Sequence, residues 1–118
     1  MTELTDFERS LVLATIAQHP QYAPLASQLA SLKVERREKT GVGAYITFSK
    51  DNQEALINHD SAQLGFSGDI CVPGVPSGLG GVIDVDKGKL NHIELFTYGD
   101  EAWNGSTEGA NIFPSAAK

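Results

Sequence analysis

His92 and Glu94 are the residues whose types and spacing could support catalysis. They stand two positions apart, and on a β-strand that spacing places both side chains on one face. A carboxylate beside an imidazole can orient the ring and hold its tautomer, as acid–base chemistry requires. The same pair is also typical of a hydrogen-bonded pair on a solvated sheet face, so a small enzyme is the alternative hypothesis, not the first.

The candidate binding residues are polar or aromatic side chains predicted on the same face as His92. They are Tyr45, Thr47 and Tyr98, joined by Asp69 if the register of its strand allows. Ile93 and Leu95 have the opposite parity and are predicted to pack under the helices. The face of Glu94 also carries Phe96. Burying this face would cost several kcal/mol for an unpaired carboxylate, whereas exposing it sacrifices only about 2 kcal/mol at Phe96. By parity alone, Leu90 falls on the outer face with His92.

Metal and cofactor chemistry finds little support in the sequence. His59 and Asp60 could join His92 and Glu94, but zinc needs three or four converging ligands, and neither HExxH nor CxxC spacing occurs. The glycines near positions 41 and 80 match neither a P-loop nor a dinucleotide fingerprint. We therefore expect no metal and no cofactor.

Cys71 and Trp103 are predicted to be structural. Cys71 lies between Ile70 and Val72 and should pack as a small apolar residue. The Gly99–Asp100 pair can turn the chain so that Trp103 folds back onto the sheet; a recognition edge built from Trp103 and Tyr98 is the less favoured alternative.

The 118 residues carry a net charge of -6 and a single cysteine. Such an acidic surface repels phosphate backbones, so neither nucleic acid nor an anionic membrane is an expected partner. One cysteine cannot form an intrachain disulfide, and the acidic N-terminus has no signal-peptide pattern, which favours the cytoplasm. The expected partner is a protein, either a different one or a second copy of this chain.

The elements that must position these residues begin with helices. Thr5 and Glu8 form a capping-box pattern that predicts a helix ending near His19–Pro20. A second helix is predicted from Pro24 to Leu32, with leucines along one side.

The rest of the chain alternates with a period of two. Predicted strands cover residues 34–39, 42–49, 64–72, 79–85 and 90–98, with turns at Gly41 and Gly88 and a bulge at Gly68. Residues 50–63 are predicted to be a polar excursion with a helical turn at 53–57. The sequence thus predicts an α+β domain over residues 1–103, with two N-terminal helices on one face of an antiparallel sheet of four to five strands. Residues 104–118 form a tail expected to be partly disordered or draped as an edge.

Two segments resemble a family of small uncharacterised bacterial proteins. The run Glu-Leu-Phe-Thr-Tyr-Gly-Asp-Glu-Ala-Trp, ending at Trp103, is similar to their C-terminal Leu-Glu-x-Phe/Tyr-Thr-Tyr-Gly-Asp-x-x-Trp-Pro motif, and Thr-Gly-Val-Gly-Ala at 40–44 is similar to their strand opening. Ile93 replaces the motif's leucine, and Asn104 its proline. The resemblance implies a shared fold and brings no function with it.

The first functional hypothesis is therefore a small binding or protein-interaction module, immunity- or inhibitor-like by analogy of size and style. Its basis is an acidic surface, exposed strand edges and no assembled catalytic signature.

Overall fold

The computed structural model describes residues 2–49, 61–99 and 102–115. Helix α1 spans Asp6–Ala17 and begins with the expected capping box, in which Glu8 N–H donates to Thr5 Oγ1 at 3.1 Å and Thr5 N–H donates to Glu8 Oε1 at 2.8 Å. Those two bonds satisfy amides that an uncapped helix leaves unpaired. Its buried side includes Leu11, Val12 and Ile16.

The second helix differs from the prediction in type and in bounds. It is a 3₁₀ segment over Pro20–Ala30, beginning four residues earlier than expected. Pro20 fits the first helical turn, while Pro24 lies inside and has no N–H to donate to an α-helical bond. Leu25 and Leu29 are its buried leucines.

Over the residues that the structure describes, the sheet has seven strands, more than the four to five predicted. They are β1 Val34–Lys39, β2 Gly43–Phe48, β3 Ala62–Gly65, β4 Gly68–Val72, β5 Val75–Asp86, β6 Lys89–Thr97 and β7 Asn111–Pro114. Their order is β1-β2-β6-β5-β4-β7, and every pairing, including that of β3 with β5, is antiparallel. An α+β fold with an antiparallel sheet is thus confirmed.

Two features raise the strand count. The predicted strand 64–72 is divided into β3 and β4 at Phe66–Ser67, beside Gly68, whose φ of +140° disfavours other residues. The C-terminal tail supplies β7, which pairs with β4 as an edge strand. The sequence did not predict β7, because the residues around it are mostly small and polar, a composition typical of loops.

Side chains that follow α1 form hydrogen bonds with the backbone at the break between β3 and β4. Gln18 Nε2 donates to the carbonyl of Ser67 at 2.7 Å, and Ser67 N–H donates to Gln18 Oε1 at 2.9 Å. His19 Nε2 lies 2.9 Å from the carbonyl of Gly65. The helix thus supplies hydrogen bonds that the interrupted ladder lacks.

The β5–β6 hairpin closes through a two-residue turn. Lys87 and Gly88 have φ of +52° and +81°, the left-handed pair of a tight hairpin, and Gly88 was predicted to take this conformation. The register then slips between Asp84 and Val85, so that Asn91 is the extra residue of a bulge. The bulge turns Leu90 into the core and corrects the parity assignment that placed it outside.

The core lies between the helices and one face of the sheet. Ile93 and Leu95 are 0% and 1% exposed, as their parity predicted. A Cβ on Gly81 would lie 3.5 Å from Leu11 Cδ2 and 3.6 Å from Leu95 Cδ2, so α1 packs directly over this part of β5 and β6.

The predicted helical turn at 53–57 lies outside the described residues, as do His59, Asp60, Asp100 and Glu101. Neither helix of the described ranges has the length and apolar character needed to cross a membrane.

Candidate functional site: the open face of the sheet

The helices cover one face of the sheet, and we call the opposite one the open face. Strand alternation and register align its side chains in rows across the strands. One row follows the Cα partners Arg36, Thr47, His92, Asp84 and Gln63 from β1 to β3. The candidates His92 and Thr47 therefore lie side by side on this face.

The next row contains the candidates Tyr45 and Glu94. They are direct cross-strand partners between Glu38 of β1 and Val82 of β5. The phenol of Tyr45 donates to Glu94 Oε2 at 3.3 Å. The negative charge of Glu94 raises the pKa of Tyr45 above its ordinary value, with smaller contributions from burial and the hydrogen bond.

His92 is held by other residues than the sequence suggested. Its ring contacts Tyr45 edge-on, with centroids 5.7 Å apart. Asn91 Nδ2 donates to Asp84 Oδ2 at 2.6 Å and lies 3.2 Å from His92 Nδ1, while Asp84 Oδ2 is 3.7 Å from the same nitrogen. Asn91 can donate to Nδ1 in the tautomer that carries its proton on Nε2.

The structure brings the catalytic candidates His92 and Glu94 onto one face but gives them separate partners. Glu94 is bound by Tyr45, and the carboxylate nearest His92 belongs to Asp84. Within the described ranges, no hydrogen bond joins His92 to Glu94. Catalysis by this pair stays a prediction.

The candidates Asp69 and Tyr98 both lie towards the other end of the open face. Together they line a hollow of about 130 Å³ over the ends of β4, β5 and β6, which we call the glycine slot. Its remaining lining residues are Ile70, Cys71, Pro76, Ser77, Gly78 and Leu79. Tyr45 and Thr47 lie on β2, which neighbours β6 and is separated from β4 by β6 and β5.

Glycines on β5 create room for the aromatic wall of the slot. Phe96 lies opposite Gly80, and a Cβ at Gly80 would clash with the Phe96 ring and approach Tyr98 Oη to 2.9 Å. The rings of Phe96 and Tyr98 meet edge-to-face with centroids 5.6 Å apart. Tyr98 is thus held in place although it is 63% exposed.

The charges of the open face are unbalanced. By strand alternation it carries the carboxylates Glu38, Asp69, Asp84, Asp86 and Glu94 against the cations Arg36 and Lys89. On the helix side, by contrast, Glu8 pairs with Arg37, and Glu3 pairs with Lys33 and Arg9. The open face is therefore the more acidic of the two.

Sequence reasoning missed Asp84, Asn91 and the slot glycines. A regular hairpin closed at Lys87–Gly88 would set Asp84 opposite Asn91, and only the bulge moves it opposite His92. The glycines were interpreted as strand entrances, and their use under an aromatic pair depends on the β5–β6 register.

Cys71 corrects another expectation, because it is exposed rather than packed. It follows the buried Ile70 on β4, so alternation turns its thiol towards the open face. Trp103, in contrast, is buried as expected, and its Nε1–H donates to the carbonyl of Ser106 at 3.0 Å.

Among the described residues, no group of three or more His, Cys, Asp or Glu side chains is arranged to hold a metal ion. No protein-family model, curated protein or solved structure matches this chain.

Proposed function

We propose that this protein is a protein-interaction module whose open face binds a basic protein partner. The observation that carries the proposal is the acidic sheet face left uncovered by the helices, with aromatic side chains exposed at both ends. Tyr45 is exposed near one end, and Tyr98 and Phe113 near the other. Aromatic anchors with a charged surround are typical of recognition surfaces.

The size of the face fits a stable complex. Six strands lie side by side, and at a spacing of ~4.8 Å their axes span roughly 24 Å. Ordinary protein complexes bury about 800 Å² on each partner, which a face of this width can supply.

The charge of the face selects the class of partner. In a face-to-face dimer, the five carboxylates of one open face would lie against the same five of the other. Their repulsion opposes self-association through this face. Nucleic acid would be repelled for the same reason. A basic protein surface would be attracted by the same negative charges. Immunity- or inhibitor-like binding is one role of this kind. The cytoplasm is the proposed location, because the exposed thiol of Cys71 suits a reducing compartment.

The test is quantitative capture from native lysate with matched charge reversals. Glu94→Lys reverses a charge on the open face, and Glu108→Lys makes the same change in an exposed loop. We expect a basic protein to be retained by the wild type and by Glu108→Lys but released by Glu94→Lys. The purified pair should then form a complex of defined stoichiometry in size-exclusion light scattering.

Two results would contradict the proposal. One is that no retained protein depends on Glu94 at low or moderate salt. The other is a partner that is released equally by Glu94→Lys and Glu108→Lys, since its binding would then follow net charge and not this face.

A further inference from the structure

The glycine slot holds a carboxylate without a described partner. Asp69 is exposed, and neither a hydrogen bond nor an ion pair of its side chain occurs within the described ranges. The other four open-face carboxylates each have a described partner: Glu94 binds Tyr45, Asp84 binds Asn91, Asp86 accepts from Ser61, and Glu38 pairs with Arg36. Asp69 therefore differs from its neighbours on the same face.

Tyr98 and Asp69 both line the glycine slot, together with a segment of β5. That segment comprises Pro76, Ser77, Gly78 and Leu79, and Gly78 places no side chain in the slot. A Cβ on Gly78 would meet the carbonyl oxygen of Ile70 at 3.0 Å, and the φ of +76° also favours glycine. Backbone geometry thus keeps the slot open.

The volume of the slot limits what can enter. The slot has a volume of about 130 Å³. Sites for drug-sized ligands begin at about 300 Å³, so the slot fits the end of one side chain and not a whole cofactor.

Carboxylate and aromatic ring together select a cation. A cation near a tyrosine ring is attracted by its π-system, and Asp69 adds a Coulomb attraction. Arginine suits both Tyr98 and Asp69 better than lysine does. A planar guanidinium stacks on an aromatic ring and donates two parallel hydrogen bonds to a carboxylate, whereas the lysine ammonium is a compact point charge.

We propose that the glycine slot is an arginine-binding subsite, which takes one arginine side chain of the basic partner between Tyr98 and Asp69. This inference rests on the proposed function for the source of the arginine. The slot itself is testable without any partner, because its chemistry recognises the side chain alone.

The experiment titrates the ¹⁵N-labelled full chain with the tripeptide acetyl-Gly-Arg-Gly-amide and follows backbone amide shifts. We expect weak, saturable binding with the largest shifts at Asp69, Cys71, Gly78 and Tyr98. Acetyl-Gly-Lys-Gly-amide should bind about two- to fivefold more weakly, because it loses the stacked and forked contacts.

Variants assign the binding to the two walls. Asp69→Asn and Tyr98→Ala should each weaken the arginine tripeptide about two- to fivefold. Tyr98→Phe retains the ring and should bind nearly as the wild type does. Glu38→Gln is the matched control, since it removes a carboxylate of the same face outside the slot.

Two outcomes would overturn the subsite. Shifts spread evenly over the open face, or equal weakening by Asp69→Asn and Glu38→Gln, would mean unspecific attraction to an acidic surface. Equal affinity for the lysine tripeptide would remove the arginine assignment. Either result leaves the capture experiment with Glu94→Lys to decide the proposed function, so the two failures are distinguishable.

Discussion

Along β6, Ile93 and Leu95 lie under the helices at 0% and 1% exposure, whereas His92 and Glu94 beside them keep access to water on the open face. The covered face is a continuous apolar layer that reaches from Phe48 of β2 to Ile70 of β4. The open face carries hydrogen bonds, edge-to-face rings and unbalanced charge instead. Stability therefore depends mainly on one face, which leaves the other available for binding.

Leu95→Ala tests this comparison most severely. Deleting a fully buried leucine removes apolar contacts and leaves a cavity, so we expect a loss of about 2–5 kcal/mol in the free energy of unfolding. His92→Ala, on the open face, should change it by about 1 kcal/mol or less. Urea melts of both variants provide the measurement, and equal losses would mean that the two faces contribute alike.

The charged strand β1 offers a second pair, one residue apart. Arg37 donates to both carboxylate oxygens of Glu8, at 2.9 Å from Nε and 2.8 Å from Nη2, and the Glu8 side chain is only 3% exposed. The hydrogen bond that Arg37 donates to Glu8 is the main reason that the pKa of Arg37 lies above its usual value. Arg36 instead pairs with Glu38, and both are exposed.

Arg37→Met should therefore cost about 2–4 kcal/mol, because it leaves a buried carboxylate without its cation. The value lies towards the low end for such pairs, since Arg37 itself is partly exposed and water can replace some of its contacts. Arg36→Met should stay within about 0.5 kcal/mol. Thermal and urea unfolding of the two variants would compare them, and a similar cost for both would contradict the assigned sides of β1.

Two glycines provide a third comparison, because one packs against backbone and the other faces open space. A Cβ on Gly43 would clash with the carbonyl oxygen of Leu95, while one on Gly65 would meet nothing within 4 Å. We expect Gly43→Ala to cost about 1–3 kcal/mol, because strands β2 and β6 would have to separate. Gly65→Ala should be neutral or slightly stabilising, since alanine loses less backbone entropy on folding. Chemical denaturation of both would show whether β2–β6 contact is as close as described.

The smallest effect concerns Tyr45 on the open face. Its raised pKa means that the folded protein retains the phenolic proton to higher pH than the unfolded chain does. The stabilisation linked to this proton is complete below the ordinary tyrosine pKa of about 10 and is lost as pH rises through the folded value.

Glu94→Gln should lower the pKa of Tyr45 towards its ordinary value, because the dominant cause is the charge of Glu94. Tyrosine ring resonances followed against pH would measure the change, with Tyr45→Phe to assign the signal. If the titration of Tyr45 were unchanged in Glu94→Gln, the charge of Glu94 would not act on Tyr45. The contact assigned to this cross-strand pair on the open face would then be wrong.

The sequence by itself determined the local features of this fold. The capping box of Thr5 and Glu8 and the left-handed turn residues Gly41 and Gly88 follow from side-chain and backbone preferences that act within a few residues. The parity of Ile93 and Leu95 also identified the covered face, since period-two alternation continues unbroken between them.

Only the tertiary structure decided which residues become neighbours. The bulge at Asn91 moved Leu90 inside and set Asp84 opposite His92, and a bulge costs little locally but shifts every pairing beyond it. The tail strand β7 exists through pairing with β4, and the glycine slot exists through the register that sets Phe96 over Gly80. The pairing of β7 joins segments distant in sequence, and the hairpin register depends on how side chains pack across the sheet, so local propensity carries little information on either.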